Sequence, residues 1–388
     1  LPSIHIRRAT ATLLPGGKLV RFAIQMSSAI NGHADVTIAE LGLRTTIALT
    51  DGAGEATAVF NGALWSPAQP RLYDVTFTAC GDTVLDRIGF RTIETRGTSI
   101  LLNGTPIWLK GVCVHEDDRN LGKVSTQDDV RRRCADALHM GCNFLRLAHY
   151  PHHEHVARVA DEMGLLLWAE IPVYWAIAFD NPETFRDAEN QLRELITRDA
   201  NRASVILWGV GNENADTDSR LAFMARLAAA AKALDPSRLV AAACLINREV
   251  FAIDDRLTDH LDVIGINEYF GWYEPDFVGL DRLLANSNPD KPVVISETGA
   301  DALPNYRGGG RTLFTEDWQA EFFRQQFRRI NACSYIAGMA AWLLYDFRSE
   351  RRQTGFQRGL NRKGLIAEDK VTRKLAYSAL RDCFAERS

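Results

Sequence analysis

With 388 residues, 46% of them hydrophobic and 24% charged, the chain has globular composition and length for one large domain plus a small one. Its 45 basic and 49 acidic side chains leave a net charge of −4, so no broad positive field exists to gather nucleic acid or an anionic membrane. No apolar run reaches the roughly 20 residues that span a bilayer, and Leu1-Pro2-Ser3 opens without the basic flank and apolar stretch of a secretory signal.

Residues 1–96 read as short strands of period two: Val20, Phe22 and Ile24 alternate with Arg21, Ala23 and Gln25, and Tyr73, Val75 and Phe77 with Leu72, Asp74 and Thr76. Turns such as Pro15-Gly16-Gly17 and Asp51-Gly52 separate them. About seven strands without a helical stripe predict a small immunoglobulin-like antiparallel β-sandwich.

From residue 97 to 388 short apolar runs alternate with amphipathic helices, the pattern of parallel βα units. Eight strands are expected at Ile107–Cys113, Asn143–Leu147, Leu165–Ala169, Val205–Gly209, Leu239–Ala243, Val263–Ile266, Val293–Ser296 and Gly338–Leu344. Helices are expected at Gln127–Met140 behind the cap Ser125, at Leu221–Leu234, and at Glu316–Ile330 behind the cap Thr315. Eight such units over about 290 residues suit an α/β fold of the (β/α)8 TIM-barrel type, whose reactive groups emerge at the C-terminal strand ends.

Two carboxylates stand at such ends, Glu213 after the fourth strand and Glu297 after the seventh. A lone Glu there is more often a solvated or ion-paired group. Strands four and seven face each other across a barrel mouth, however, and cleaving a glycosidic bond takes one carboxyl to protonate the leaving oxygen and a second to attack or to activate water.

Together with these glutamates, Trp65-Ser66-Pro67, Leu72-Tyr73, Asn103-Gly104, Lys110-Gly111, Arg146-Leu147-Ala148-His149-Tyr150-Pro151 and Arg198-Asp199 give the chain a resemblance to glycoside hydrolase family 2, the β-galactosidases and β-glucuronidases, along nearly its whole length. That resemblance implies a retaining exo-acting β-glycoside hydrolase with no cofactor and no metal. Glu297 would be the nucleophile and Glu213 the acid/base, held protonated when substrate binds, with carboxyls about 5–5.5 Å apart. Arg146 matches the family's cation beside the nucleophile, Asn212 the donor to the sugar 2-hydroxyl, Tyr269 a donor to the nucleophile, and His149 a substrate contact. Trp342 matches an indole that stacks on the sugar face.

Asn361-Arg362-Lys363-Gly364 resembles the glucuronidase branch's Asn-x-Lys-Gly, which implies that Asn361 and Lys363 grip a uronate carboxylate. Alone, this tetrapeptide would read as a solvated basic loop. Its place one loop after Trp342 and Asp346-Phe347 favours the clamp, as do Asn267-Glu268-Tyr269-Phe270-Gly271-Trp272-Tyr273, with Tyr273 at the ligand end, and His115-Glu116-Asp117, with Asp117 accepting from sugar hydroxyls. The chain departs from the pattern in three ways. Arg358 lies three residues before Asn361 where the family has an arginine four before, Thr298 replaces an aromatic after the nucleophile, and the jelly-roll domain with which the family normally opens is not expected within residues 1–388, whether cut away or lost in a shortened enzyme.

Among the remaining features, the histidines His152, His153 and His155 read as the polar start of the second helix rather than a metal cluster, and Glu170 as a hydrogen-bond acceptor behind the site. Seven cysteines, odd in number and without zinc or redox spacing, read as free thiols in a cytoplasmic setting. The expected partner is a small-molecule or oligosaccharide β-uronide, and assembly into a homo-oligomer stays open. The rivals are a β-galacturonidase or β-galactosidase and, from another class, a catalytically inactive carbohydrate-binding fragment.

Overall fold

In the computed structural model, which describes residues 2–387, the chain begins with Ile6–Leu13 (β1), Leu19–Met26 (β2), Gly32–Ile38 (β3), Leu43–Leu49 (β4), Ala53–Val59 (β5), Tyr73–Ala79 (β6) and Asp82–Ile88 (β7). They form two antiparallel sheets, β1-β2-β5 and β4-β3-β6-β7. Strands β2 and β6 bury every second residue, because each sheet presents one face to the other and one to water. Val20, Phe22, Val36, Val75 and Phe77 share the resulting core, with the Phe22 and Phe77 rings edge-on at 6.3 Å.

A small sheet of Ile93–Arg96 (β8), Ser99–Leu102 (β9) and Thr105–Ile107 (β10) follows, so Ile107, expected to open the barrel, belongs to this connector. The barrel itself is Leu109–Val114 (β11), Phe144–Leu147 (β12), Leu166–Glu170 (β13), Val205–Asn212 (β14), Leu239–Cys244 (β15), Val263–Asn267 (β16), Val293–Thr298 (β17) and Ile336–Ala341 (β18), closed in sequential order. From β12 onward every residue of these strands is buried. Helices outside and a packed interior inside explain why their sequences are continuous apolar runs rather than alternating ones. Phe144, Leu166, Trp168, Val263 and Val294 belong to the cluster that fills the interior.

The helices are Gln127–His139 (α1), His155–Met163 (α2), Pro182–Asp199 (α3), Asp218–Leu234 (α4), Val278–Asn286 (α5), Glu316–Ala332 (α6) and Leu375–Glu386 (α7). Thr315 caps α6 through its hydroxyl. The cap of α1 is Thr126, not Ser125: its Oγ1 accepts from the Asp129 N–H at 3.1 Å while Asp129 Oδ2 accepts from the Thr126 N–H at 3.2 Å, a reciprocal pair that a single hydroxyl does not match. Helix α4 starts three residues before the expected Leu221, behind the Thr217 hydroxyl.

Pairing register shifts near the C-terminal ends of β14 (Gly209/Asn212), β16 (Ile266/Asn267) and β17 (Ile295/Thr298). Such irregularities turn a strand and re-aim its last side chains, and these ends carry Asn212, Asn267 and Glu297. Among the described residues no helix is long and apolar enough to cross a membrane.

Candidate active site

Glu297 is 4% exposed. Its Oε1 accepts from Arg146 Nη1 at 2.8 Å and lies 3.5 Å from His149 Nε2, and its Oε2 accepts from the Tyr269 hydroxyl at 2.7 Å. Burial pushes this carboxyl up and Glu213 adds to the rise; Arg146, His149 and Tyr269 pull the other way without cancelling it.

Arg146, fully buried at the end of β12, uses its whole donor fork. Besides Glu297 it reaches Ser296 O at 3.2 Å, Asn212 Oδ1 at 2.6 Å and both Glu170 oxygens at 3.2–3.3 Å. Burial works against its charge, but Glu170 and Glu297 outweigh that and raise its pKa. One guanidinium thus joins side chains from β12, β13, β14 and β17. Glu170 also lies 2.9 Å from His149 Nδ1, which makes it an acceptor behind the site.

Glu213 follows β14 with a left-handed φ of 53°, a conformation costing a side-chain-bearing residue roughly 1–2 kcal/mol. Its N–H donates to Ala243 O at 2.8 Å. Its Oε2 accepts from Trp175 Nε1 at 2.9 Å and its Oε1 from Asn267 Nδ2 at 3.0 Å. Asn267 Nδ2 also reaches Asn212 Oδ1 at 3.1 Å, and Ser296 Oγ donates to Asn267 Oδ1 at 2.7 Å. A continuous hydrogen-bonded path therefore runs from Glu213 through Asn267, Asn212 and Arg146 to Glu297. Asn212 Oδ1 takes two of these bonds, which leaves its amide N–H groups free to donate.

A second cluster lies around the loop after β18. Lys363 Nζ, in a side chain 1% exposed, donates to Asp301 Oδ2 at 2.5 Å and to the Tyr273 hydroxyl at 3.3 Å. Asn361 is buried and its Oδ1 accepts from the Lys363 N–H at 3.1 Å. The Lys363 ammonium lies 5.7 Å from the Tyr269 ring, and Tyr269 binds Glu297, so this cluster borders the carboxylates. Asp117 is engaged by Arg348, its Oδ1 accepting from Nη2 at 2.5 Å, which ties the loop after β11 to the loop after β18. Trp342 stands just past β18 rather than within it and stacks on His149, centroids 5.2 Å apart at 15°.

Sequence reasoning missed Asn267, Trp175 and Asp301. Asn267 was readable as the last residue of a barrel strand; Trp175 and Asp301 sit in loops, where no period marks them. His152, expected in a polar helix start, is buried, its Nε2 3.0 Å from Ala148 O. Among the described residues no group of three or more His, Cys, Asp or Glu is arranged to hold a metal ion. A separate cleft lined by Arg91, Asn103, Lys232 and Arg238 lies between the sandwich and the N-terminal strand ends, away from both glutamates.

The family model described as "Glycosyl hydrolases family 2, TIM barrel domain" matches residues 93–384. The chain belongs to glycoside hydrolase family 2. Among its relatives, a β-glucuronidase of Paenibacillus borealis is 28% identical over 86% of this chain and 59% of its own length. A β-glucuronidase of Bacteroides fragilis is 30% identical over 81% of this chain and 48% of its own. The chain thus spans about half to three-fifths of these curated relatives. In structure it resembles the family 2 β-galacturonidase of Eisenbergiella tayi bound to galacturonate, with TM-score 0.89, 26% identity, and coverage of 100% of this chain and 73% of that one. It also resembles the β-glucuronidase of Ruminococcus gnavus in complex with uronic isofagomine, with TM-score 0.88, 26% identity, and coverage of 99% and 69%.

Proposed function

We propose that the chain is a retaining, exo-acting β-glycoside hydrolase whose preferred substrates are β-uronides, β-glucuronides first. The observation that carries this reading is the hydrogen-bonded path joining Glu213 to Glu297 across the barrel mouth. Glu297, oriented by Arg146 and Tyr269, attacks the anomeric carbon; the glycosidic C–O bond breaks and the aglycone oxygen takes the proton of Glu213. The products of this step are an ester between sugar and Glu297 and a free aglycone. Water then gives a proton to Glu213 and attacks the same carbon, releasing the sugar and the Glu297 carboxylate. The free N–H of Asn212 suits the sugar 2-hydroxyl, whose bond to the protein strengthens as positive charge builds on the ring.

Lys363, Asn361 and Tyr273 support a uronate at the sugar's far end. Similarity to a protein whose structure holds galacturonate favours β-galacturonides as the second reading. The test compares kcat/KM for p-nitrophenyl β-glucuronide, β-galacturonide and β-galactoside, with Glu297→Gln as control. We expect a uronide to lead and the variant to lose at least about 1,000-fold. Preference for the galactoside would remove the uronide reading, and no turnover of any of the three would leave the inactive carbohydrate-binding fragment.

A further inference from the structure

The loop after β13 fixes one tryptophan in a costly conformation. Trp175 has a left-handed φ of 58°, which a bulky side chain adopts only where its surroundings impose it. Its N–H donates to Asn212 O at 2.9 Å, its carbonyl accepts from Asn214 Nδ2 at 2.9 Å, and its indole Nε1 donates to Glu213 Oε2 at 2.9 Å. The Arg351 guanidinium lies over the ring, 4.9 Å from its centroid, and the Tyr174 ring meets it edge-on at 5.5 Å. Trp175 is nonetheless 46% exposed, so core packing does not account for its placement. Glu213, at the other end of the indole bond, also has a left-handed φ, 53°. Two strained residues thus meet in one side-chain contact.

That contact distinguishes the two oxygens of Glu213. Oε1 accepts from Asn267, which is buried and also bonded to Asn212, while Oε2 accepts from the exposed Trp175. The aglycone of an exo-acting enzyme departs toward solvent, so Oε2 is the oxygen placed to deliver the proton. An indole N–H can only donate. Against a protonated Oε2 its bond is weak, because that oxygen has given up a lone pair. Against the carboxylate left behind, the bond is charge-assisted. It therefore strengthens as the proton moves, and an interaction that strengthens on the way to the transition state speeds the step.

We infer that Trp175 is a positioning residue for the acid step: its indole N–H aims Glu213 Oε2 at the glycosidic oxygen and stabilises the carboxylate that forms there. The Oε2–H bond breaks as the proton passes to the leaving oxygen, which keeps the electron pair of the broken C–O bond, and the indole retains its own hydrogen throughout. The role rests on the retaining-hydrolase reading above, with Glu213 as acid/base. When Glu213 later takes a proton from water, the same bond favours the reactant, so its help is confined to formation of the glycosyl ester.

The test uses the full chain with Trp175→Phe, Trp175→His and Glu213→Ala, on the phenyl and p-nitrophenyl β-glycosides of the sugar that the wild type turns over fastest. Phenoxide is a poor leaving group that needs the proton, whereas p-nitrophenoxide departs with less help. Loss of a charge-assisted hydrogen bond predicts that Trp175→Phe lowers kcat/KM for the phenyl glycoside roughly 10- to 100-fold, through kcat rather than KM, and lowers it less for the p-nitrophenyl glycoside. Trp175→His keeps a ring N–H and suits a left-handed φ better than Phe. It should show a smaller loss with the same aglycone dependence, which carries the test if the Phe variant does not fold. Equal losses on the two aglycones, or a loss confined to KM, would mean that the indole only shapes the aglycone site and would overturn the inference while leaving Glu213 as the acid. If Glu213→Ala itself loses no more on the phenyl than on the p-nitrophenyl glycoside, the acid/base reading falls and the inference with it.

Discussion

Arg146 shows how much of this site depends on single groups. Two buried carboxylates, Glu170 and Glu297, face it. Removing one partner of such a cluster leaves uncompensated charge in a dry interior, which costs about 3–5 kcal/mol. Arg146→Met is therefore expected to lower the urea midpoint by an equivalent amount, and adding Glu170→Gln should recover part of the loss; equal midpoints for single and double variants would contradict this. Glu213, Glu297, Arg146 and Tyr269 were legible as candidates in the sequence because each stands at or just past the C-terminal end of a recognisable barrel strand and carries a charge or hydroxyl that a core position rarely holds. Asp301 was not, since its meaning comes from Lys363, 62 residues away. Lys363 was legible as a cation and not as half of an ion pair with Asp301, and Arg358, three residues before Asn361, is exposed and turns back to donate to Gly355 O at 2.9 Å.

Among the elements, β16 carries an unusual burden just past its end. Glu268 is completely buried between Asn267 and Tyr269, its Oε2 accepting from the Phe270 N–H and Gln326 Nε2, both at 3.1 Å. Burial pushes its pKa from 4.5 to about 7. The folded chain therefore holds this proton more tightly than the unfolded chain, and stability falls as pH rises through the window from 4.5 to about 7. Glu268→Gln should flatten that slope and gain on the order of 1–3 kcal/mol at pH 8 relative to wild type, measured by chemical unfolding at pH 5 and pH 8. A slope unchanged by the substitution would show that Glu268 ionises at no cost in the fold. The existence and order of the eight strands were readable from apolar runs alone. Their ends were not, because register shifts at β14, β16 and β17 depend on which neighbour each residue pairs with, and helix starts followed a reciprocal capping pair at Thr126 rather than the nearest serine.

Across the whole molecule, the sandwich and barrel are joined by buried polar contacts. Arg202 pairs with Asp86 from β7 and, at 3.2 Å, with Asp161 from α2. Arg91 donates to the carbonyls of Ala203, Val205 and Ser237, and Trp65, wholly buried, donates from Nε1 to Asp161 O at 2.8 Å. These contacts predict one cooperative transition for both parts, with calorimetry and near-ultraviolet dichroism reporting the same midpoint, lowered together by Arg202→Met. Two resolved transitions would refute the coupling. The junction also lies at the opposite end of the staves from Glu213 and Glu297, a strand length of roughly 17–20 Å away. Foundation and workshop are thus on different floors: the loops after β11, β13, β16 and β18 can be lengthened, shortened or exchanged to suit a new sugar without loosening the masonry on which the barrel stands.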